Sequence, residues 1–407
     1  MRVLRGRPHV LFPVGEQGGR LRCFQSALEE GEIKAEFKLF FCEKCKKETV
    51  LSVCEECGSI CKPKYYCKKC GLLDSPCKEH RSYPYKRKNI DINYYFEKAL
   101  DKLNTKIYPD LIKGVRGTSN KDHVPEHLVK GILRAKHNIH VNKDGTIRYD
   151  MIEMPITHFK PREINTSIDK LKELGYTKDI FGKEIIDKDQ IIEIKPQDLI
   201  LPDCVDSPDE LCSSVLFNVG NFVDELLQKL YDLPPIYNFK SKLDVIGELV
   251  IGLAPHTSAG IVGRIIGFSR TQAMLTHPLF HAAMRRNCDG DEACVILLMD
   301  ALLNFSRSYL PDRRGSRTMD APLVLTSLLI PEEVDDEVHG MDVVSSYPLE
   351  FYKAAEEFKN PWEIQIYQVA DFLETPRQYE KMGYTHETTD LNQGVVCSSY
   401  KILPSME

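Results

Sequence analysis

The sequence predicts an α+β fold built from more than one domain, and three observations point there. At 407 residues, with 42% apolar and 28% charged side chains, the chain is long enough for two or three cores. Segments with helical spacing alternate with short strand-like runs along its length. Eight of its 14 cysteines crowd between Cys42 and Cys77, which reads as small metal-stapled units set between larger domains. No apolar run approaches the roughly 18 residues that a spanning helix needs. The N-terminus is basic but leads to Pro8 and Pro13 rather than to an apolar stretch, so no signal peptide is read. A soluble, cytoplasmic protein without membrane contact is expected.

Residues 1–40 read as a strand from Val10 to Val14, a turn at Gly15, Gly18 and Gly19, a short helix, and a strand near Glu36 to Phe41. Residues 41–82 hold the cysteines. Cys42-x2-Cys45 and Cys54-x2-Cys57 form one unit; Cys67-x2-Cys70 and Cys77-x2-His80 form a second. Paired knuckles of this spacing present four ligands to one tetrahedral Zn²⁺, and four protein ligands leave no position for substrate. Two structural zinc sites are therefore expected. A disulfide framework would require a secreted protein, which nothing here supports. Cys61 is left over, either as an alternative to His80 or as an unliganded thiol. Lys44, Lys46, Lys47, Lys62, Lys64, Lys68 and Lys69, with Tyr65 and Tyr66, fit a phosphate-backbone contact. They fit a solubilised small domain equally well.

Residues 83–240 read as a mixed region. It has a helix over 92–105, a helix from Pro125, a strand around Ile139 to Val141, a hairpin at Lys143-Asp144-Gly145, a strand at Ile191 to Ile194 and an amphipathic helix over 220–232. Residues 241–340 open with an apolar run, 243–254, that leads into a loop around His256. A helix is expected from Ala293 to Tyr309, with Asp291 and Glu292 at its start, where the dipole favours negative charge. Residues 341–407 are acidic and mixed. Charge is uneven: residues 1–140 carry a net +11 and residues 141–407 a net −17. The first part is therefore suited to an anionic partner.

The stretch Asn287-Cys288-Asp289-Gly290-Asp291-Glu292 puts three acidic side chains within four residues around a glycine. Carboxylates so close repel unless a cation sits between them. Hard oxygen ligands on a tight loop suit Mg²⁺. An EF-hand is excluded, since counting from Asp289 puts Cys294 at position six and Asp300 at position twelve. A solvated turn remains the alternative. Metal beside cations points to phosphoryl or nucleotidyl transfer, in which cationic groups offset charge on the reacting phosphates. His256, Arg264, Arg285, Arg286, Arg313 and Arg314 are the candidates for that role. His277 and His281 are weighed as core residues as readily as contacts.

Gly252-Leu-Ala-Pro-His-Thr-Ser-Ala-Gly-Ile-Val-Gly-Arg-Ile-Ile-Gly-Phe268 and His281-Ala-Ala-Met-Arg-Arg-Asn-Cys-Asp-Gly-Asp-Glu292 resemble the large, catalytic subunit of the archaeal family D DNA polymerases. Pro311-Asp-Arg-Arg-Gly315, Met319-Asp-Ala-Pro-Leu-Val-Leu325, Pro155-Ile-Thr-His-Phe-Lys-Pro-Arg-Glu163, Lys195-Pro-Gln-Asp-Leu199 and Phe12-Pro-Val-Gly15 agree with it. The resemblance implies a double-psi β-barrel catalytic core. Residues 1–40 would pair with about 245–340 to close that barrel, and the zinc units and a clamp-like region (83–240) would be inserted between its strands. It implies Asp289 and Asp291 as Mg²⁺ ligands and catalytic residues, with Asn287 assisting where related RNA polymerases carry a carboxylate. It implies two-metal DNA synthesis from deoxynucleotide triphosphates on a primer-template. A small subunit with 3′-5′ exonuclease activity is the implied partner, and a sliding clamp is engaged through a tail not contained here. Family members are much longer, so the chain reads as a fragment with little activity by itself. The alternative is a non-catalytic zinc-ribbon scaffold with an inert acidic loop.

Overall fold

The computed structural model describes residues 7–255, 257–310, 323–383 and 390–397. Its contacts divide the chain into two units. The first comprises residues 1–148, 218–239 and 299–322; the second comprises 149–217, 240–298 and 323–407.

In the first unit, α1 (Phe24–Glu30) leads through Gly31 into β1 (Glu32–Lys38), whose side chains alternate between exposed and buried. β1 pairs antiparallel with a distant strand at Tyr85–Asp91, with Ile33 opposite Ile90. Asp91 ends that strand and caps α2 (Ile92–Leu103), accepting a hydrogen bond from the Tyr94 amide. The core is aromatic: Phe12 packs on Phe24 and Phe37, and Phe24 stacks on Phe96. α3 (Leu128–Lys136) carries Arg134, which is wholly buried and makes a two-pronged pair with Glu126 at 2.8 Å on each arm.

Two strands expected here are absent. Residues 10–14 form a single bridge, Pro13 to Val115, because Pro13 has no N–H and the Leu11 amide donates to the Glu126 side chain. Ile139 to Val141 joins no ladder; the Val141 amide donates to the Pro8 carbonyl.

Between β1 and its partner lie two small three-stranded sheets. The first is β2 (Phe40–Cys42), β3 (Lys47–Thr49) and β4 (Lys62–Pro63). The second is β5 (Tyr65–Cys67), β6 (Gly71–Leu73) and β7 (Ser82–Tyr83), after which β8 (Tyr85–Asp91) returns to β1. Strands of two or three residues bury too little to stand alone.

The second unit is built on β9 (Tyr149–Pro155), β12 (Asp198–Pro202), β13 (Leu249–Leu253), β14 (Ala259–Ser269), β15 (Ala273–Thr276) and β16 (Glu292–Leu297). Each pairs with two of the others in the order β12-β15-β9-β16-β13-β14, and β14 pairs back to β12, so the six strands close on themselves. Parallel and antiparallel pairings are mixed. β17 (Val324–Thr326) lies parallel to the start of β14. A two-stranded ribbon, β10 (His158–Phe159) with β11 (Ile192–Glu193), and the helix α4 (Ile168–Glu173) complete the middle of the chain, before α5 (Cys212–Leu230).

This closure differs from the expected one. Among the described residues, 7–40 contribute no strand to it. β9 and β12, from the region expected to be a clamp-like insertion, take those places, and β1 is engaged with β8. β12 is buried at all five positions, which only a strand covered on both sides can be. The helix expected from Ala293 also begins late. Residues 292–297 are β16, buried from Ala293 onward between β9 and β13, and α7 (Leu298–Asn304) follows. Asp291 and Glu292 therefore do not open a helix. A short run such as Ala-Cys-Val-Ile-Leu is apolar at every position, so spacing cannot separate a buried strand from a helix.

Among the described residues no helix is long and apolar enough to cross a membrane.

Candidate active site and metal centres

The acidic loop hangs between a short helix, α6 (Pro278–Ala283), and β16. α6 is seated by Phe280, which is fully buried. Its ring lies where side chains at Gly252 and Gly263 would be: a Cβ at Gly252 would come within 2.7 Å of Phe280, and one at Gly263 within 2.2 Å of Leu199 and 2.9 Å of Phe280. The two barrel glycines thus make the socket for the helix that launches the loop.

The loop then turns through three left-handed residues, Arg285 (φ +60°), Cys288 (φ +62°) and Gly290 (φ +93°). No atom lies within 4 Å of a Cβ built at Gly290, so glycine is needed there for its dihedral and not for space. Asn287 and Asp289 are exposed. Asp289 makes no hydrogen bond or ion pair among the described residues. Asp291 is half-buried, its side chain 37% exposed, and Arg286 Nη1 donates to its Oδ2 at 3.0 Å. Arg286 also reaches the Glu292 carbonyl through Nη2, at 2.7 Å. Arg285 is exposed and makes no ion pair among the described residues.

Cys288 turns inward, its thiol 3.9 Å from the Pro278 carbonyl. Burial, with Glu153, Asp289 and Glu337 nearby, pushes that thiol up to about 12, so it is a packed S–H and not a nucleophile.

Behind the loop sits a wholly buried pair. His281 Nδ1 approaches Glu153 Oε2 to 2.6 Å, close but not aligned as a hydrogen bond, with both side chains fully buried. The two residues also hold the loop by their backbones. The Glu153 amide donates to the Asp291 carbonyl at 2.9 Å, and the His281 carbonyl accepts from the Arg286 amide at 3.0 Å. His277 caps α6, its Nδ1 accepting from the Leu279 amide at 3.1 Å. Burial and the neighbouring His281 and His158 lower its pKa to about 3, so it stays neutral.

Arg264 is engaged elsewhere: Nε and Nη2 grip both oxygens of Asp198 at 2.9 and 2.8 Å, joining β14 to β12. Tyr176 donates to the same carboxylate at 2.5 Å. Nothing in the sequence marks Asp198 as that partner, 66 residues away. Glu153 was missed too, although a glutamate inside the run Met151-Ile-Glu-Met154 is a signal of a paired buried charge. His256, Arg313 and Arg314, with the motif 311–315, lie outside the described residues. The described parts of the motifs at 252–268, 281–292 and 319–325 converge: β13, β14, β16 and β17 belong to one sheet, and the acidic loop leads into β16.

The cysteine clusters are formed as their spacing requires. Cys42, Cys45, Cys54 and Cys57 bring four sulfur atoms within 4.8 Å of one another, and Cys67, Cys70, Cys77 and His80 do the same with three sulfurs and an imidazole nitrogen. The Sγ separations of Cys42–Cys57, Cys45–Cys54 and Cys70–Cys77 are 3.6, 3.9 and 3.8 Å. A tetrahedron with Zn–S bonds of about 2.3 Å has an edge of about 3.8 Å. Both clusters could therefore hold zinc. All the described cysteines are free thiols. Cys61 joins neither set; it is buried beside the first, packed with Phe40, Cys42 and Cys54. Among the described residues the acidic loop does not gather three or more such ligands.

Residues 105–407 match the model of the DNA polymerase II large subunit DP2, catalytic domain, and residues 1–74 match its central domain. DNA polymerase II large subunits from Archaeoglobus fulgidus and Pyrococcus furiosus are 47% and 48% identical over 98% and 100% of this chain. The one from Nanoarchaeum equitans is 45% identical over 100% of it. The alignments cover 36%, 32% and 36% of those relatives, so the chain spans about a third of their length. This chain belongs to the DP2 family of DNA polymerase II large subunits.

Proposed function

We propose that this chain supplies the metal-binding loop of a DNA-directed DNA polymerase, with Asp289 and Asp291 as the ligands and Asn287 beside them. The observation that carries this reading is the loop itself: two carboxylates flank a left-handed glycine, one exposed and one held by Arg286. Two carboxylates with the rest of the shell left to water and phosphate fit Mg²⁺, which is commonly bound that way. Magnesium bound there supplies a Lewis acid that activates a primer 3′-hydroxyl and offsets charge on the leaving pyrophosphate.

The chain's own residues do the positioning. Arg286 fixes the Asp291 carboxylate, and the Asn287 amide adds a ligand-strength oxygen without a third charge. Arg285, being exposed, is a candidate to meet phosphate, as are His256, Arg313 and Arg314. Arg264 would act on DNA only by leaving Asp198. The six-strand closure supports the double-psi reading of the barrel. The tetrahedral sulfur spacing supports two structural zinc ions.

Because the matched region is about a third of the relatives, activity is assigned to the assembled enzyme. That assembly would include a small 3′-5′ exonuclease subunit and a sliding clamp, act on deoxynucleotide triphosphates and primer-template, and work in the cytoplasm. The test is an Asp289→Asn/Asp291→Asn variant in that enzyme. Synthesis should fall by about two orders of magnitude or more while duplex binding persists. Synthesis at the unaltered rate refutes the assignment.

A further inference from the structure

The two cysteine units have the same architecture but different charge: the first is balanced and the second is basic. From Cys42 to Pro63, the end of β4, there are four basic and four acidic residues, and from Lys64 to Asp91 eight basic and three acidic. In the first unit Lys47 is held by Glu55 at 3.1 Å and Glu56 at 3.7 Å, and Glu56 also takes Lys98. Lys62 on β4 pairs with Glu43 within that unit, and in the second unit Lys64 and Lys88 are paired with Asp74 and Glu48. That leaves Lys68, Lys69, Lys78, Arg81, Lys86 and Arg87. All are exposed, and none makes an ion pair among the described residues. Asp91 is used as a helix cap, and Glu79 is the one acidic side chain of the segment without a fixed partner there. If surface lysines served only to solubilise small zinc units, both units would show the same surplus.

Two of these cations are held by aromatic rings. Tyr66 and Tyr83 face each other across β5 and β7, so they share one side of that sheet. Lys86 Nζ stands 4.3 Å from the centre of the Tyr66 ring, and the Arg81 guanidinium 5.1 Å from that of Tyr83. Proteins that grip single strands stack bases on open aromatic faces. Here each of the two rings holds a cation against one face, so that this side of the sheet presents charge rather than an open stacking platform. Lys68, Lys69 and Lys78 extend the array along the two metal knuckles.

We propose that the second cysteine unit is a binding face for the phosphate backbone of double-stranded DNA, and that the first unit is not. The choice of DNA as the polyanion rests on the polymerase reading above. The test uses the full zinc-loaded chain and a short labelled B-form duplex, with affinity measured against salt. Replacing Lys68, Lys69 and Lys78 by alanine should flatten the slope of log affinity on log salt by about 0.9 for each phosphate no longer neutralised. Lys44→Ala/Lys46→Ala in the first unit should leave it unchanged. Bound zinc is measured in each variant; if the triple variant loses metal, the three single variants decide, each expected to flatten the slope by its own share.

An unchanged slope overturns the proposal, as does an equal effect from the two units. So does a polyglutamate peptide that binds this face at salt where the duplex does not, which would make the partner an acidic protein. Asp289→Asn/Asp291→Asn should keep the wild-type slope. Its effect on synthesis in the assembled enzyme tests the polymerase reading separately.

Discussion

Replacing His281 by leucine should destabilise the second unit and disable the acidic loop together. The imidazole is the close partner of the Glu153 side chain, 2.6 Å away, and neither is exposed. Leucine has about the right bulk but no N–H, so a buried carboxylate loses its partner. Breaking one side of such a pair costs about 3–5 kcal/mol. For a unit of about 200 residues each kcal/mol lowers Tm by about 2–4 °C, so a drop of about 6–20 °C is expected by calorimetry. The same two residues hold the Asp291 carbonyl and the Arg286 amide. A shift of about 1 Å at reacting groups costs about 100-fold in rate, so synthesis by the assembled enzyme should fall on that scale. The Mg²⁺ concentration for half-maximal rate should rise with it. Glu153→Met/His281→Leu removes both polar partners and should regain most of the lost Tm, because an apolar pair leaves no buried carboxylate behind. Two results refute the reasoning: a single variant that melts within about 2 °C of the wild type, or a double variant no better than the single one.

Three further outcomes follow from the same geometry. Arg286→Ala should lower synthesis and raise the Mg²⁺ requirement. Arg286→Lys should not rescue it, since one ammonium cannot reproduce the fork that reaches Asp291 and the Glu292 carbonyl together; metal titrations of both variants check this. Asp300 is wholly buried, and burial raises its pKa to about 6 despite hydrogen bonds from the Ile147 amide and Asn304. From the ordinary carboxylate value near 3.8 up to about 6, the unfolded chain has lost this proton while the folded chain keeps it. Stability should therefore fall as pH rises through that window and level off above it, and Asp300→Asn should remove this fall in a series of melts. Stripping zinc with a strong chelator should release two ions per chain and open residues 42–80 to protease, because the small sheets there have little core of their own. The barrel unit should melt as before.

What the sequence disclosed was local. Four ligands within 16 residues define a metal site by reach alone, and both clusters have the expected members. Helices with a one-sided apolar face were legible for the same reason, as at 92–103. Pairings between distant segments were not. That β1 seeks β8, or that β9 and β12 close the ring, depends on which buried edges meet, and alternation within one strand carries no record of its partner. Arg264 shows the limit at the level of a side chain. Beside a glycine-rich loop it reads as a phosphate contact, yet it is committed to Asp198, brought near only by β12 lying parallel to β14.

The distribution of support around the acidic loop follows from what that loop must withstand. Two carboxylates separated by one glycine repel, and the left-handed Arg285 and Cys288 add backbone strain that Gly290 does not. A free loop of this sequence would relax away from this arrangement. Here its two ends are fixed independently. Phe280, set into the glycine socket of β13 and β14, fixes the entry, and the Glu153 amide of β9 fixes the exit at the Asp291 carbonyl. Arg286 offsets part of the charge on one carboxylate and leaves the other exposed. The segment is thereby held by rigid strands at both ends, with Asp289 exposed and Asp291 fixed by Arg286; under the proposed assignment that support lets the loop take up a cation with little rearrangement.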